Sequence, residues 1–330
     1  NAVSRLTAVL ALVAVGLGAL GAFAGYIVGH AAAVAVGAVV LYRRCYTGLP
    51  TGVERVGGLV RRILEYSVPT AATRASVVVD NKVDKVIVGT LVGPAAVGFY
   101  TLAGQVADFC VVPAQSLGFT ISPAIGEQSH GDQTDRAARL YEQSMSIVLL
   151  LYLPAAVGLV LVARPTVGTV FGTDYLPAVP VLQVFALLVV VRAVHKITGN
   201  GLDFLGLARI RAIARGSSAI GNVVLTFALV PPFGILGAAV ATVVTYSAYT
   251  AVNVVYIHRA LDVRTTFLRK RAVQSVAVAA VVGAVVAPAT TYVTGLLTLA
   301  GIVLLGVAVW AVVIVASGLV DPKTVRSLLA

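Results

Sequence analysis

The sequence predicts an all-α membrane protein, a polytopic bundle of about ten transmembrane helices, and three observations carry that prediction. Hydrophobic residues make up 59% of the 330 and charged residues only 11%, where a soluble domain carries about a quarter. Apolar runs of spanning length recur along the whole chain, separated by short polar segments. The formal charge of +11 comes from arginines clustered in those short segments, so they read as topology signals and not as a basic face for nucleic acid.

Leu6 to Tyr42 form one apolar run, bracketed by Arg5 and by Arg43 and Arg44, that is too long for a single crossing. Two helices with a tight turn near Gly21 to Gly25 fit it; Gly21, Gly25 and Gly29 also read as a small-residue stripe for helix packing. From Gly52 to Ile63, apolar Val53, Val56, Val60 and Ile63 recur at helical spacing with Arg55 and Arg62 between them, which predicts a surface-lying amphipathic linker. Further spans are predicted at Leu64 to Thr90, Ala95 to Ser122, Ser144 to Ala163, Val181 to Leu205, Ile213 to Val230, Gly237 to Ile257, Ala272 to Ala287 and Leu296 to Gly318. Gly126 to Gln143 is polar and ends in a helical stretch, RAARLYEQ, expected to lie along the cytoplasmic face as a solvated connector.

Charge inside the span from Leu64 marks it out. Arg74, ten residues past Leu64, reaches roughly the middle of a hydrocarbon core about 30 Å thick, where an ion costs about 2.5 to 3.5 kcal/mol unless it faces a bundle interior or wet cavity. Asp80, Lys82, Asp84 and Lys85 follow toward the far end, where long side chains can snorkel. These ions are read as lining a transport path; the alternative is an internal salt bridge that only ties helices together.

Lysine and arginine set the topology. Eighteen of the 24 fall in segments that alternate to one side, one (Arg164) lies opposite, and Arg74, Lys82, Lys85, Arg192 and Lys196 lie within spans. Both ends of the chain are therefore expected in the cytoplasm, with the protein in the cytoplasmic membrane. Cys45 and Cys110 share no CxxC and imply neither a disulfide framework nor a metal site. Residue 1 is Asn and no secretory signal opens the chain, so it is expected to begin within a longer protein. Phosphate-loop, zinc-protease, nucleophile-elbow and dinucleotide motifs are all missing, so no enzyme and no cofactor are expected.

The stretch VDNKVDKVIVGTLVGPAAVGFYTLAGQ closes a charged span with Asp84, then runs through a Gly-Pro turn into Val97-Gly98-Phe99-Tyr100 at the start of the next helix. With FGTDYLPAVPVLQV and VPPFGILGAAVATVVTY, it resembles the oligosaccharide flippase (polysaccharide biosynthesis) family of the multidrug, oligosaccharidyl-lipid and polysaccharide exporter superfamily. The resemblance implies a MATE-like bundle of two six-helix lobes around a cavity open alternately to each side. Matched onto it, residues 1–47 would be the last two helices of the first lobe and 48–63 the linker. Residues 64–258 would be the six-helix C-terminal lobe, 272–318 an appended pair and 319–330 a cytoplasmic tail, leaving four helices upstream.

In the span from Val181, Arg192, Lys196, Gly199 and Asp203 recur at i, i+4, i+7 and i+11, one helix face, with His195 beside it. His195 is read as a hydrogen-bonded buried histidine and not a proton relay, and Asn222, Asn253 and Gln105 as interhelical glue. Pro69, Pro113 and Pro154 bend their spans. Arg74 and Arg192 come to one depth from opposite sides, so an anion is required between them; Asp80 and Asp84 are candidates, and a lipid phosphate would satisfy both guanidinium groups. The substrate-binding candidates are Arg74, Arg192, Lys196 and Asn81, and the coupling or ion-pair candidates are Asp80, Asp84 and Asp108. The expected function is flipping of a polyprenyl-phosphate or pyrophosphate-linked sugar, with membrane lipid and other polysaccharide-assembly proteins as partners. A cation-coupled drug antiporter is the alternative, and a membrane-embedded glycosyltransferase a third reading against which Asp174, the only acidic residue of the 164–180 loop, counts.

Overall fold

The computed structural model describes residues 2–46, 83–127, 134–205 and 207–319. The chain divides into two compact units, Asn1–Thr73 and Arg74–Ala330.

In the first unit, α1 (Ala2–Leu12) and α2 (Gly18–Leu41) form an antiparallel hairpin. Its turn is Val13–Leu17 with Gly18, where Gly16 (φ 91°) and Gly18 (φ 50°) take conformations that other residues avoid. The turn expected at Gly21 to Gly25 is thus corrected to a site earlier in the chain. Gly21, Gly25 and Gly29 are instead the packing stripe: a Cβ on Gly21 would fall 2.7 Å from the Leu12 carbonyl oxygen and one on Gly25 2.6 Å from the Val9 Cα. A spacing of four keeps all three glycines on one face, which is why they serve contact and not reversal.

The second unit begins, among the described residues, with the short α3 (Val83–Leu91) and continues with α4 (Pro94–Glu127), α5 (Thr134–Thr166) and α6 (Val179–Phe204). Then come α7 (Ala208–Leu261), α8 (Thr265–Ala289) and α9 (Leu296–Ala316). Seven helical stretches among the described residues are long and apolar enough to cross a membrane, and two of them, Ser4–Arg44 and Ile210–Leu261, are broken by a turn. This is an all-helical, multi-pass membrane protein. In α7 the break is Gly234 (φ 57°), after Pro231 and Pro232, so two arms run antiparallel as the spans at Ile213 to Val230 and Gly237 to Ile257 predict. The linker 48–63, the tail from residue 320 and most of the span Leu64 to Thr90 lie outside the described residues, including Pro69.

α6 runs through the middle. Val181, Leu182, Leu188, Ala193 and Ile197 are fully buried against α4, α5 and α7. At Gly118 of α4 an added Cβ would stand 2.7 Å from the Lys196 carbonyl oxygen, so the absence of a side chain lets α4 lie directly on α6. A smaller apolar cluster, with Val162, Val278, Val282, Val286, Leu299 and Ile302, joins α5 to α8 and α9.

Polar fastenings on α5 explain the rest of the architecture. Pro154 has no N–H, which leaves the Leu150 carbonyl without its helical donor, and the Trp310 indole N–H of α9 donates to that oxygen at 2.8 Å. Beside Pro113 in α4, the Tyr152 hydroxyl donates to the Cys110 carbonyl (3.1 Å) and accepts from the Ala114 N–H (2.9 Å), entering the helical ladder where the proline weakens it. Glu142, 2% exposed, takes the Arg264 backbone N–H (2.8 Å) and guanidinium (2.6 and 3.1 Å), fixing the start of α8. RAARLYEQ is therefore not a solvated connector. It is the first part of α5, with Tyr141 and Glu142 buried, because Ala137, Ala138 and Tyr141 share an inward face.

Candidate substrate-charge site

Arg192 stands halfway along the 26-residue α6, about 20 Å from its start at about 1.5 Å per residue, and Asp108 stands about 21 Å along α4. The two form an ion pair. The Arg192 side chain is 24% exposed and that of Asp108 is 71% exposed. A carboxylate that open at mid-helix in a membrane bundle must face water or protein and not lipid.

Around this pair the sequence brings cations and aromatic rings together. The Arg192 guanidinium lies 5.6 Å from the centre of the Tyr246 ring, and Arg215 lies 5.8 Å from the same ring and 5.6 Å from Tyr249. His195 packs between the two tyrosines, its ring 5.4 Å from Tyr246 and 4.8 Å from Tyr249. One turn below Arg192, half-buried Lys196 has no ion-pair partner among the described residues. Farther along, Arg211 pairs with Asp203 and donates to the Gly199 carbonyl (3.3 Å) and the Tyr249 hydroxyl (3.3 Å). Among the described residues, Arg192, Lys196, Arg211 and Arg215 line one side of α6 and α7 beside Asp108 and Asp203, and guanidinium groups so placed suit a phosphate or carboxylate.

The predicted stripe of Arg192, Lys196, Gly199 and Asp203 is brought to one face. Among the described residues, the carboxylate paired with Arg192 is Asp108. Asp84 is buried on α3, where its Oδ2 is 3.1 Å from the Tyr100 hydroxyl and 3.0 Å from that of Thr242, themselves 2.9 Å apart. Arg74, Asp80 and Asn81 lie outside the described residues. His195 is buried, as expected; among the described residues its Nδ1 has no partner, the Asn253 side chain makes no hydrogen bond, Asn222 accepts only from Thr226 of its own helix (2.9 Å), and Gln105 is exposed, so there none of these three asparagine and glutamine side chains bridges two helices. Arg211, Arg215, Tyr246 and Tyr249 were not picked out by sequence reasoning. Their spacings of four and three place each pair on one helix face, but nothing local says that those faces meet α6.

The profile of the family described as polysaccharide biosynthesis protein matches residues 2–180. The chain is 28% identical over 181 residues to the probable low-salt glycan biosynthesis flippase Agl15 of Haloferax volcanii, covering 55% of this chain and 38% of that protein. It is 27% identical over 166 residues to the probable flippase AglR of the same organism, covering 49% and 34%. The matched stretches thus span well under half the length of these relatives. Its fold is similar to that of the lipid II flippase MurJ in an inward closed conformation, with a TM-score of 0.69 at 13% identity, over 94% of this chain and 64% of that one.

Proposed function

Because the chain belongs to the polysaccharide biosynthesis protein family, we propose that it flips a polyprenyl-phosphate or pyrophosphate-linked sugar across the cytoplasmic membrane by alternating access. The product would feed a cell-surface polysaccharide or glycan. The observation that carries the reading is the Arg192–Asp108 pair at mid-helix, with Lys196, which has no ion-pair partner among the described residues, one turn away. Asp108 neutralises Arg192 in the resting state, and an incoming phosphate displaces it because a guanidinium binds phosphate bidentately. Arg74, at matching depth by sequence, and Asn81 are assigned to the same head group. Residues 64–258 serve as the six-helix lobe, 272–318 as the appended pair, and both chain ends face the cytoplasm, as the basic residues favour. Membrane lipid and other assembly proteins are its partners, and it acts as a transporter and not an enzyme.

The test is Arg192→Lys in the full-length protein, reconstituted in vesicles with a fluorescent polyprenyl-pyrophosphate sugar. Flipping should be lost while the protein accumulates and inserts normally; a normal rate overturns the assignment. A second reading, a cation-coupled multidrug antiporter, is favoured by one observation, the buried Asp84 among the Tyr100 and Thr242 hydroxyls. It requires Asp84→Asn to abolish proton- or sodium-driven drug efflux, and cells in which this protein confers no efflux exclude it.

A further inference from the structure

Among the described residues, six buried side-chain atoms have no hydrogen-bond partner in the protein: His195 Nδ1, Asn200 Nδ2, Thr250 Oγ1, both amide atoms of Asn253, and His258 Nε2. They are concentrated on two short segments, 195–200 of α6 and 250–258 of α7. His195 touches Tyr246 and Tyr249, and a Cβ on Gly201 would lie 2.9 Å from Ile257 Cδ1, so the two segments run parallel at a fixed register. Asn253 comes seven residues after Tyr246 and four before Ile257, on the same helix face, which sets it level with Thr198. Asn253 and Thr198 are wholly buried, and Thr250 nearly so. The Thr198 hydroxyl lies 3.1 Å from that of Tyr141, whose ring is 5.8 Å from His258. A polar seam therefore runs between α6 and α7 from His195, under the Arg192 and Arg215 cluster, toward His258. Asn200 Nδ2 points the other way, toward Gly118, and lies outside it.

We infer that this seam is a binding site for ordered water. The unmatched groups select the ligand. Asn253 alone presents two N–H donors and a carbonyl acceptor, the Thr250 hydroxyl gives and takes, and each histidine nitrogen does one or the other with its tautomer. A cation would meet amide N–H groups and an anion would meet the Asn253 carbonyl, whereas a buried water donates and accepts, making about three bonds. Leaving a primary amide unmatched inside a membrane bundle is costly enough that an apolar residue would otherwise be the better occupant of position 253. Water held there would wet the underside of the cation cluster. The inference does not depend on which substrate that cluster binds.

Brief X-ray radiolysis of the purified full-length protein, followed by mass spectrometry, tests it, because hydroxyl radicals form at bound water and oxidise the side chains beside it. Relative to their intrinsic reactivity, Tyr141 and His195 should be oxidised faster than Phe185, which is also buried and lies ten residues before His195 on α6. Asn253→Leu should lose that excess and gain no thermal stability. Oxidation of the seam at the rate of Phe185 overturns the inference, as does a higher unfolding midpoint for Asn253→Leu, the sign of a dry site relieved of an unmatched amide. Should Asn253→Leu not accumulate, the wild-type labelling and Thr250→Val decide by the same criteria.

Discussion

Asp108→Asn separates a substrate receptor from a structural ion pair. Asparagine keeps the shape of the side chain and removes its charge, leaving Arg192 over the Tyr246 ring without an anion. With the carboxylate 71% exposed, the pair contributes to stability as open ion pairs do, about 0.2 to 1 kcal/mol. Were the site closed against lipid, an unpaired arginine would cost about 2.5 to 3.5 kcal/mol instead. The stability loss should therefore stay below about 1 kcal/mol in unfolding experiments on the detergent-solubilised full-length protein. Ligand binding should move the other way. A phosphate no longer has to displace a carboxylate worth about 1 kcal/mol, so the Kd for a polyprenyl pyrophosphate should fall about fivefold, while turnover slows as release loses its competitor. Fluorescence titration in nanodiscs beside a vesicle flipping assay measures both. Weaker binding, or a stability loss near 3 kcal/mol, would refute the reasoning by making Asp108 a structural partner.

Trp310→Phe should lower stability by about 1 to 2 kcal/mol, since it leaves the Leu150 carbonyl unpaired; in a Pro154→Ala background, where residue 154 regains an N–H for that oxygen, the same change should cost less, and a double-mutant cycle of unfolding midpoints reads the difference. Gly118→Ala should cost about 1 to 3 kcal/mol and reduce flipping, because its Cβ must push α4 away from the Lys196 carbonyl and draw Asp108 off Arg192; unchanged melting would mean that α4 does not lie on α6. With Cys45 and Cys110 replaced, cysteine at position 174 should react with an impermeant thiol reagent in intact cells and cysteine at position 211 should not; the reverse pattern inverts the topology.

Helix existence was legible because a span must satisfy its own backbone within the bilayer, so length and hydropathy alone mark it. The spans from Ala95, Val181, Ile213, Gly237, Ala272 and Leu296 each meet a helix at that place. Pattern failed where one residue type serves two purposes. Glycines at 21, 25 and 29 suit both a turn and a contact, and only the facing backbone of Arg5 to Leu12 decides for contact. RAARLYEQ is polar enough for a surface, yet its Glu142 is buried because Arg264, 122 residues later, arrives to meet it.

Composition alone marks the membrane class, and a period of 3.6 puts Arg192 and Lys196 on one helix face, with Arg192 near the middle of its apolar run. Tertiary structure alone decided the partners. Asp108 meets Arg192 across 84 residues, Thr242 meets Asp84 across 158, and Tyr246 and Tyr249 reach His195 only because α7 folds back at Gly234. Charge pairing acts over a few ångströms in space and carries no periodicity along the chain, so the residues that complete the site leave no local mark in the sequence.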